Sequence, residues 1–280
     1  MQQHLKIVRR LPGTEVYLSR FAFGTASLHH LSSSRSRRTL LDAAVAHGFT
    51  HFDTAPIYGF GLTERELAPV LAAEPNLTVA TKVGLYPPGG SEQTRAAVLA
   101  RKVVGRLYPP LSRVRVDLSV KRAEASLGAS LKRLGRQRLD ILFIHEPDAA
   151  LIETEEWRLW LERERERGRL CAFGVAGVIA RIEPFLSNVN PLAQVIQTAD
   201  SVDGREADRV LDAHRPLQIT YGYLSAARRS GVHFEPRQLL VEALRRNQTG
   251  TVLVSTRRVE RLAEYPAALV AVLKTESMAE

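Results

Sequence analysis

Eight short apolar runs, alternating with amphipathic stretches, constrain this chain more than any other feature. The runs are Phe21-Ala22-Phe23, Phe49 to Phe52, Leu77 to Lys82, Leu139 to Ile144, Leu170 to Val175, Ala193 to Gln197, Leu217 to Thr220 and Thr251 to Val254. Between them, helical spacing puts Leu41, Ala44 and Val45 on one face of a predicted helix from about Ser36 to His47, with Gly48 as its cap. The same reading gives helices from about Thr63 to Ala72, from a Ser119 cap to Leu134, and from Glu153 to Arg167, where Trp157 and Trp160 turn inward. Strand and helix alternating this many times predict a (β/α)8 TIM barrel rather than a doubly wound sheet. A dinucleotide fold would need a glycine fingerprint after its first strand; Gly59-Phe60-Gly61 is incomplete and follows the second. The expected architecture is one barrel domain over 1–280, with an N-terminal β-hairpin from Leu5 to Ser19 turning at Pro12-Gly13. The pattern lapses in a long loop excursion after strand 3, from Val83 to Leu118. Proline-rich pairs bracket it, and it carries its own helix candidate with Ala96, Leu99, Val103 and Leu107 on one face.

Charge enters because the formal balance is +9, which raises the question of nucleic acid. The basic pairs are scattered from Arg37-Arg38 to Arg257-Arg258, with no aromatic-interleaved basic strand and no recognition-helix pattern. The expectation is therefore no nucleic-acid partner and no membrane partner, since no apolar run approaches the roughly 18 residues a spanning helix needs. The start, Met1 to Lys6, has no apolar leader core, and Cys171 is the single cysteine, placed in a strand as a core thiol; together they predict a cytoplasmic address.

The chemistry gathers where strands end. Asp53, Lys82 and His145 are each the first polar residue at the end of a predicted barrel strand, and Tyr58 lies in the loop just after Asp53. Singly, each has an ordinary structural reading: a turn cap, a solvated strand end, a loop histidine. In a parallel barrel, however, these ends converge on one mouth. There a lysine beside a phenol is expected to lower its pKa, a carboxylate to hold the lysine charged, and a histidine to orient a carbonyl oxygen. Such a site polarises a carbonyl and contains no reductant, so it calls for a bound cofactor.

Phe52-Asp53-Thr54-Ala55-Pro56-Ile57-Tyr58-Gly59, Ala80-Thr81-Lys82-Val83-Gly84, and the stretch from Ser126-Leu127 through Lys132-Arg133-Leu134 to Asp140-Ile141-Leu142-Phe143-Ile144-His145 together resemble the aldo-keto reductases. The likeness runs from about Leu18 to Glu264. It implies a hairpin-plugged barrel without a metal, and a nicotinamide cofactor lying across the strand ends. Tyr58 would be the general acid, assisted by Lys82 and Asp53, with His145 positioning the carbonyl. By the same resemblance, Gly24 and Thr25 match the turn after the first strand. Gln197 matches a glutamine that holds the nicotinamide amide, and Tyr221 an aromatic that stacks on its ring. Ser255, Thr256 and Arg261 fall where the adenosine phosphate is gripped, so NADPH is expected ahead of NADH. The chain departs from the pattern at Ala176 and Gly177, where a serine and an asparagine usually bind the amide, and at Tyr265, a common asparagine. The implied partner is a small-molecule carbonyl or sugar, with an aldose dehydrogenase-like branch within reach. The rival reading is a catalytically weak nucleotide-binding barrel that regulates or scaffolds.

Overall fold

The computed structural model describes residues 8–90, 114–186, 190–231 and 233–277. The chain opens with β1 (Val8–Arg10) and β2 (Tyr17–Ser19), an antiparallel pair. Its connection turns at Pro12-Gly13, where the Thr14 amide donates to the Leu11 carbonyl at 3.0 Å and Gly13 takes φ +76°. Proline then glycine in the two central positions is the chemistry of a type II turn.

The main repeat begins at β3 (Phe21–Gly24), followed by β4 (His51–Asp53) and β5 (Thr78–Val83). A short antiparallel pair comes next, β6 (Leu85–Tyr86) with β7 (Arg115–Val116), bracketing the excursion. The sequence reading had no signal for these two-residue strands. The helix candidate carrying Ala96 to Leu107, and the start of the hairpin at Leu5, lie outside the described residues. The repeat resumes with β8 (Leu139–His145), β9 (Leu170–Gly177), β10 (Val195–Ala199), β11 (Ile219–Tyr221) and β12 (Thr251–Val254). In the order β3-β4-β5-β8-β9-β10-β11-β12 these strands are all parallel, and β12 closes back on β3. The predicted barrel is the observed one. Strand ends shift by a few residues: β9 extends through Gly177, and β10 and β11 begin two residues later than expected, because β-propensity in short runs marks a strand more sharply than its limits.

The helices wrap the outside. Helices α1 (Ser34–Ala46) and α2 (Leu62–Ala73) follow β3 and β4; α3 (Val120–Leu134) and α4 (Thr154–Glu166) follow the excursion and β8. Ser33 and Ser119 cap α1 and α3, their hydroxyls accepting from the Ser36 and Arg122 amides. Trp157 and Trp160 are both buried on α4, edge to face at 5.4 Å.

Strand alternation divides the apolar residues into two cores. Phe23, Phe52, Val79, Leu142 and Ile196 point outward under the helices. Ala80, Ile141, Phe143, Ala172, Val195 and Ile219 point inward, and the hairpin adds Leu11, Val16 and Leu18 to them. The hairpin is thus a stopper at the base of the bore, and the open space lies at the other end. Cys171 is only half-buried, near that base, and burial pushes its thiol pKa up, as suits an unreactive thiol. No described helix is long and apolar enough to cross a membrane.

Candidate active site

Asp53 ends β4, and Ala80 is its register partner on β5. Lys82, two residues further along β5, therefore points to the same inner face. Its ammonium donates to Asp53 Oδ1 at 2.5 Å and to the Thr54 carbonyl at 3.1 Å. Both side chains are about 97% buried, so this is a desolvated ion pair rather than a surface contact. Burial pulls the lysine pKa below its ordinary value, and the Asp53 charge opposes that fall. Gln197 on β10 completes the cluster: its Nε2 donates to Asp53 Oδ2 at 3.0 Å. Each Asp53 oxygen thus accepts one side-chain donor, Lys82 from the neighbouring strand and Gln197 from across the barrel.

The loop after β4 carries Tyr58 to this pair. The Tyr58 amide donates to the Ala55 carbonyl at 3.0 Å, and the Thr63 hydroxyl to the Tyr58 carbonyl at 3.2 Å, so the turn is held from both ends. Gly59 has φ +58° and packs so closely on His29 that an added Cβ would lie 2.6 Å from the histidine Cβ. That close approach is what the glycine permits. The Lys82 ammonium lies 5.3 Å from the centroid of the Tyr58 ring, and the His145 ring meets the Tyr58 ring edge-on at 6.2 Å. All four predicted residues, Asp53, Tyr58, Lys82 and His145, line one cavity of about 290 Å³.

The electrostatics differ from the sequence-based expectation in one respect. Lys82 was expected to make Tyr58 more acidic. Instead burial, then the negative charges of Asp53 and Glu146, hold the phenol well above its ordinary pKa. Burial is the largest cause, and Lys82, engaged with Asp53 at 2.5 Å, does not reverse it. Tyr58 is accordingly a firm proton carrier. Burial, with Lys82 adding to it, pushes the His145 pKa down to about 3, so at neutral pH the imidazole is uncharged. A neutral imidazole can donate to a carbonyl oxygen without carrying a charge into the site.

The remaining predicted residues divide. Gly24, Gln197, Tyr221 and Ser255 line the same cavity. Thr25 is fully buried, and its amide and hydroxyl both donate to the Asp53 carbonyl, at 2.9 and 3.0 Å. It positions the end of β4 rather than facing the space. The Thr256 hydroxyl accepts from the Arg258 amide at 3.1 Å, and Arg261 pairs with Glu264 at 3.2 Å; neither lines the cavity. Arg257, Arg258 and Arg261 do not open an α-helix, since a 3-10 turn, Val259–Ala263, precedes helix Glu264–Ser277. The sequence reading did not single out Gly222, Tyr223, Ser225 and Arg228, which also line the space. Arg228 looked like one of the scattered basic pairs. Its signal was its place a few residues beyond the β11 strand end. Glu146 was missed as well, although it directly follows His145.

The cavity wall suits the carboxamide of a nicotinamide. Gln197 is oriented by its donation to Asp53, which leaves its Oε1 buried without a hydrogen-bond partner among the described residues. A buried orphan acceptor is costly unless a ligand supplies a donor, and a primary amide does.

Residues 20–193 match the model of the aldo/keto reductase family. The chain belongs to that family. It is 27% identical over 163 residues to D-threo-aldose 1-dehydrogenase of a Pseudomonas species, covering 57% of this chain and 49% of that one. Such matches span about half or less of the length of the curated relatives. Among solved structures it is similar to glycerol dehydrogenase of Gluconobacter oxydans, at 19% identity and TM-score 0.70 over 96% of this chain and 95% of that one. It is likewise similar to an aldo-keto reductase of Klebsiella pneumoniae in complex with NADPH, at 17% identity and TM-score 0.67 over 98% and 93%. At these identities the structural likeness concerns the fold. The aldo-keto reductase membership rests on the family match, and the barrel with the strand-end cluster agrees with it.

Proposed function

We propose that this protein is an NADPH-dependent oxidoreductase that interconverts a small carbonyl compound, an aldehyde, ketone or sugar, with its alcohol. The observation that carries the reading is the convergence of Tyr58, His145 and the buried Asp53–Lys82 pair on one cavity whose wall also presents the unpartnered Gln197 Oε1. A bound nicotinamide supplies hydride chemistry. This chain's residues do the rest. Tyr58, held protonated, gives its proton to the carbonyl oxygen in the direction of reduction and takes it back in the reverse. Neutral His145 donates to the same oxygen and fixes its approach. Lys82 balances Asp53, so the negative charge that would oppose any charge building on Tyr58 is offset.

Gln197 would accept from the carboxamide, Tyr221 would form the floor beneath the ring, and Gly24 would let the cofactor come close to the backbone. Ser255, Thr256 and Arg261 would serve the adenosine phosphate, with NADPH preferred over NADH. The names of the relatives, an aldose dehydrogenase and a glycerol dehydrogenase, support polyhydroxylated substrates, and the NADPH complex supports the cofactor. The test is loss of NADPH and NADH absorbance against a panel of aldehydes, ketones and aldoses, run also in reverse with alcohols. Turnover with at least one class is expected. Tight cofactor binding without turnover across the panel would overturn the reading in favour of a nucleotide-binding regulatory barrel.

A further inference from the structure

His145 and Ala176 are register partners on β8 and β9, and the chain leaves both strands beside the cavity. Glu146 is the residue just past His145. It is held in the left-handed region at φ +48°, with its amide donating to the Ala176 carbonyl at 2.6 Å. A glutamate rarely adopts that conformation, and residues held in it tend to cluster at functional sites. The conformation lays the carboxylate over Gly177: a Cβ added there would lie 2.8 Å from Glu146 Oε2. So Glu146 fills the room that the missing side chain at Gly177 leaves, and Gly177 itself lines the cavity.

The carboxylate has spare acceptor capacity. One oxygen accepts a long bond from the Val178 amide, at 3.3 Å. Burial raises the Glu146 pKa, and Arg181, which opposes that rise, is itself engaged with Asp148 at 2.7 Å. Elsewhere around the ring floor, Asp53 and Lys82 offset each other. Glu146 is therefore a negative charge at this end of the site that the Val178 amide and Arg181 offset only in part. Its reach is visible in Tyr221: burial raises that phenol most, and Glu146 is the first of the charges that add to it.

We propose that Glu146 recognises the nicotinamide end of the cofactor and holds its oxidised, cationic ring more tightly than the reduced, neutral one. The inference rests on the reductase reading above. The carboxylate and Gln197 Oε1 supply two acceptors, matching the two protons of one amide nitrogen. The charge of Glu146 then distinguishes the ring states: a unit negative charge attracts the cation and is nearly indifferent to the neutral ring. It thereby favours the side of the reaction on which the carbonyl has become an alcohol and the cofactor is oxidised.

The experiment is calorimetric titration of NADP+ and NADPH into the wild type, Glu146→Gln and Glu146→Asp, with circular dichroism to verify folding. Glu146→Gln should weaken NADP+ about ten-fold, as expected for one lost charge at short range, and change NADPH less than about three-fold. Glu146→Asp keeps the charge and should retain most of the preference. Equal losses for both cofactors, or an unchanged ratio with an altered KM for the carbonyl substrate, would overturn the inference while leaving the reductase reading intact. A wild type that binds neither cofactor would sink the reductase reading itself, and this inference with it.

Discussion

The strand-end cluster and the segment after β12 are both polar and were both legible as candidates, yet the chain holds them differently. Asp53 and Lys82 sit on neighbouring strands and Gln197 on a facing one, almost wholly buried, and the bonds among them are fixed by the barrel rather than by chain neighbours. In the segment from Ser255 to Arg261, the polar groups bond to residues two or three positions away: Thr256 to Arg258, Arg261 to Glu264. A buried charge must find a partner fixed by the fold, because leaving it unpaired costs several kcal/mol. Arg261 keeps 22% of its side chain exposed and pairs with a glutamate three positions away, a contact it can exchange for a phosphate at smaller cost. The first region is pre-set for chemistry, and the second is free to rearrange around a ligand.

Mutations can break or sharpen that contrast. The largest effect is expected for Lys82→Met, which leaves Asp53 buried without its cation. Stability should fall by about 3–5 kcal/mol, and turnover should be nearly lost because uncompensated Asp53 drives the Tyr58 pKa still higher. Urea unfolding and steady-state kinetics check both. An active variant of normal stability would show that the pair is ornamental. Tyr58→Phe should reduce turnover by about a hundred- to ten-thousand-fold, the range for losing a positioned proton donor. Cofactor affinity should stay within a few-fold, and a titration alongside the rates distinguishes this from collapse of the cavity.

The next prediction probes the looser region. Arg261→Ala should weaken NADPH about ten-fold and leave NADH nearly untouched, since a charge-assisted contact to the extra phosphate is what the two cofactors do not share. Equal losses would show that Arg261 stays with Glu264. Arg228, which lines the cavity and acts with Arg261 on the buried Tyr265 phenol, would then be the cation to examine.

The smallest effect belongs to His51, buried at the start of β4. Burial, with Lys82 adding to it, pushes its pKa down to about 3 from an ordinary 6.5. The unfolded chain therefore takes up a proton there below about pH 6.5 and the folded chain does not, so stability falls as pH drops through that window. The slope is about 1.4 kcal/mol per pH unit. Thermal unfolding of His51→Gln between pH 7 and 5 should be flatter than wild type by that amount, and parallel curves would refute it.

The barrel and the four residues gathered at its mouth could be read from the sequence because each rests on a local rule: short apolar runs, capped helices, and polar residues where an apolar run stops. Asp53, Lys82 and His145 carried that signal, and Tyr58 followed from its loop. What escaped depends on distant contacts. The direction of the Tyr58 shift required knowing how deeply the phenol is buried and that Asp53 and Glu146 act on it. Glu146 escaped because its place beside the cavity comes from a left-handed backbone and from the absence of a side chain at Gly177, 31 positions away. Thr25 matches the turn after the first strand, but that its hydroxyl is turned onto the Asp53 carbonyl needed the fold.

The N-terminal hairpin contributes no group to the chemistry, yet its Leu11, Val16 and Leu18 cork the bore. The barrel is therefore a blind alley rather than a corridor. Guests must come and go by the same door, and where one lies beneath another, the deeper can neither enter after its companion nor depart before it. On this view traffic, as much as chemistry, sets the pace. Excess of the later guest should trap the earlier one, visible as inhibition at high substrate concentration that a channel open at both ends would not impose.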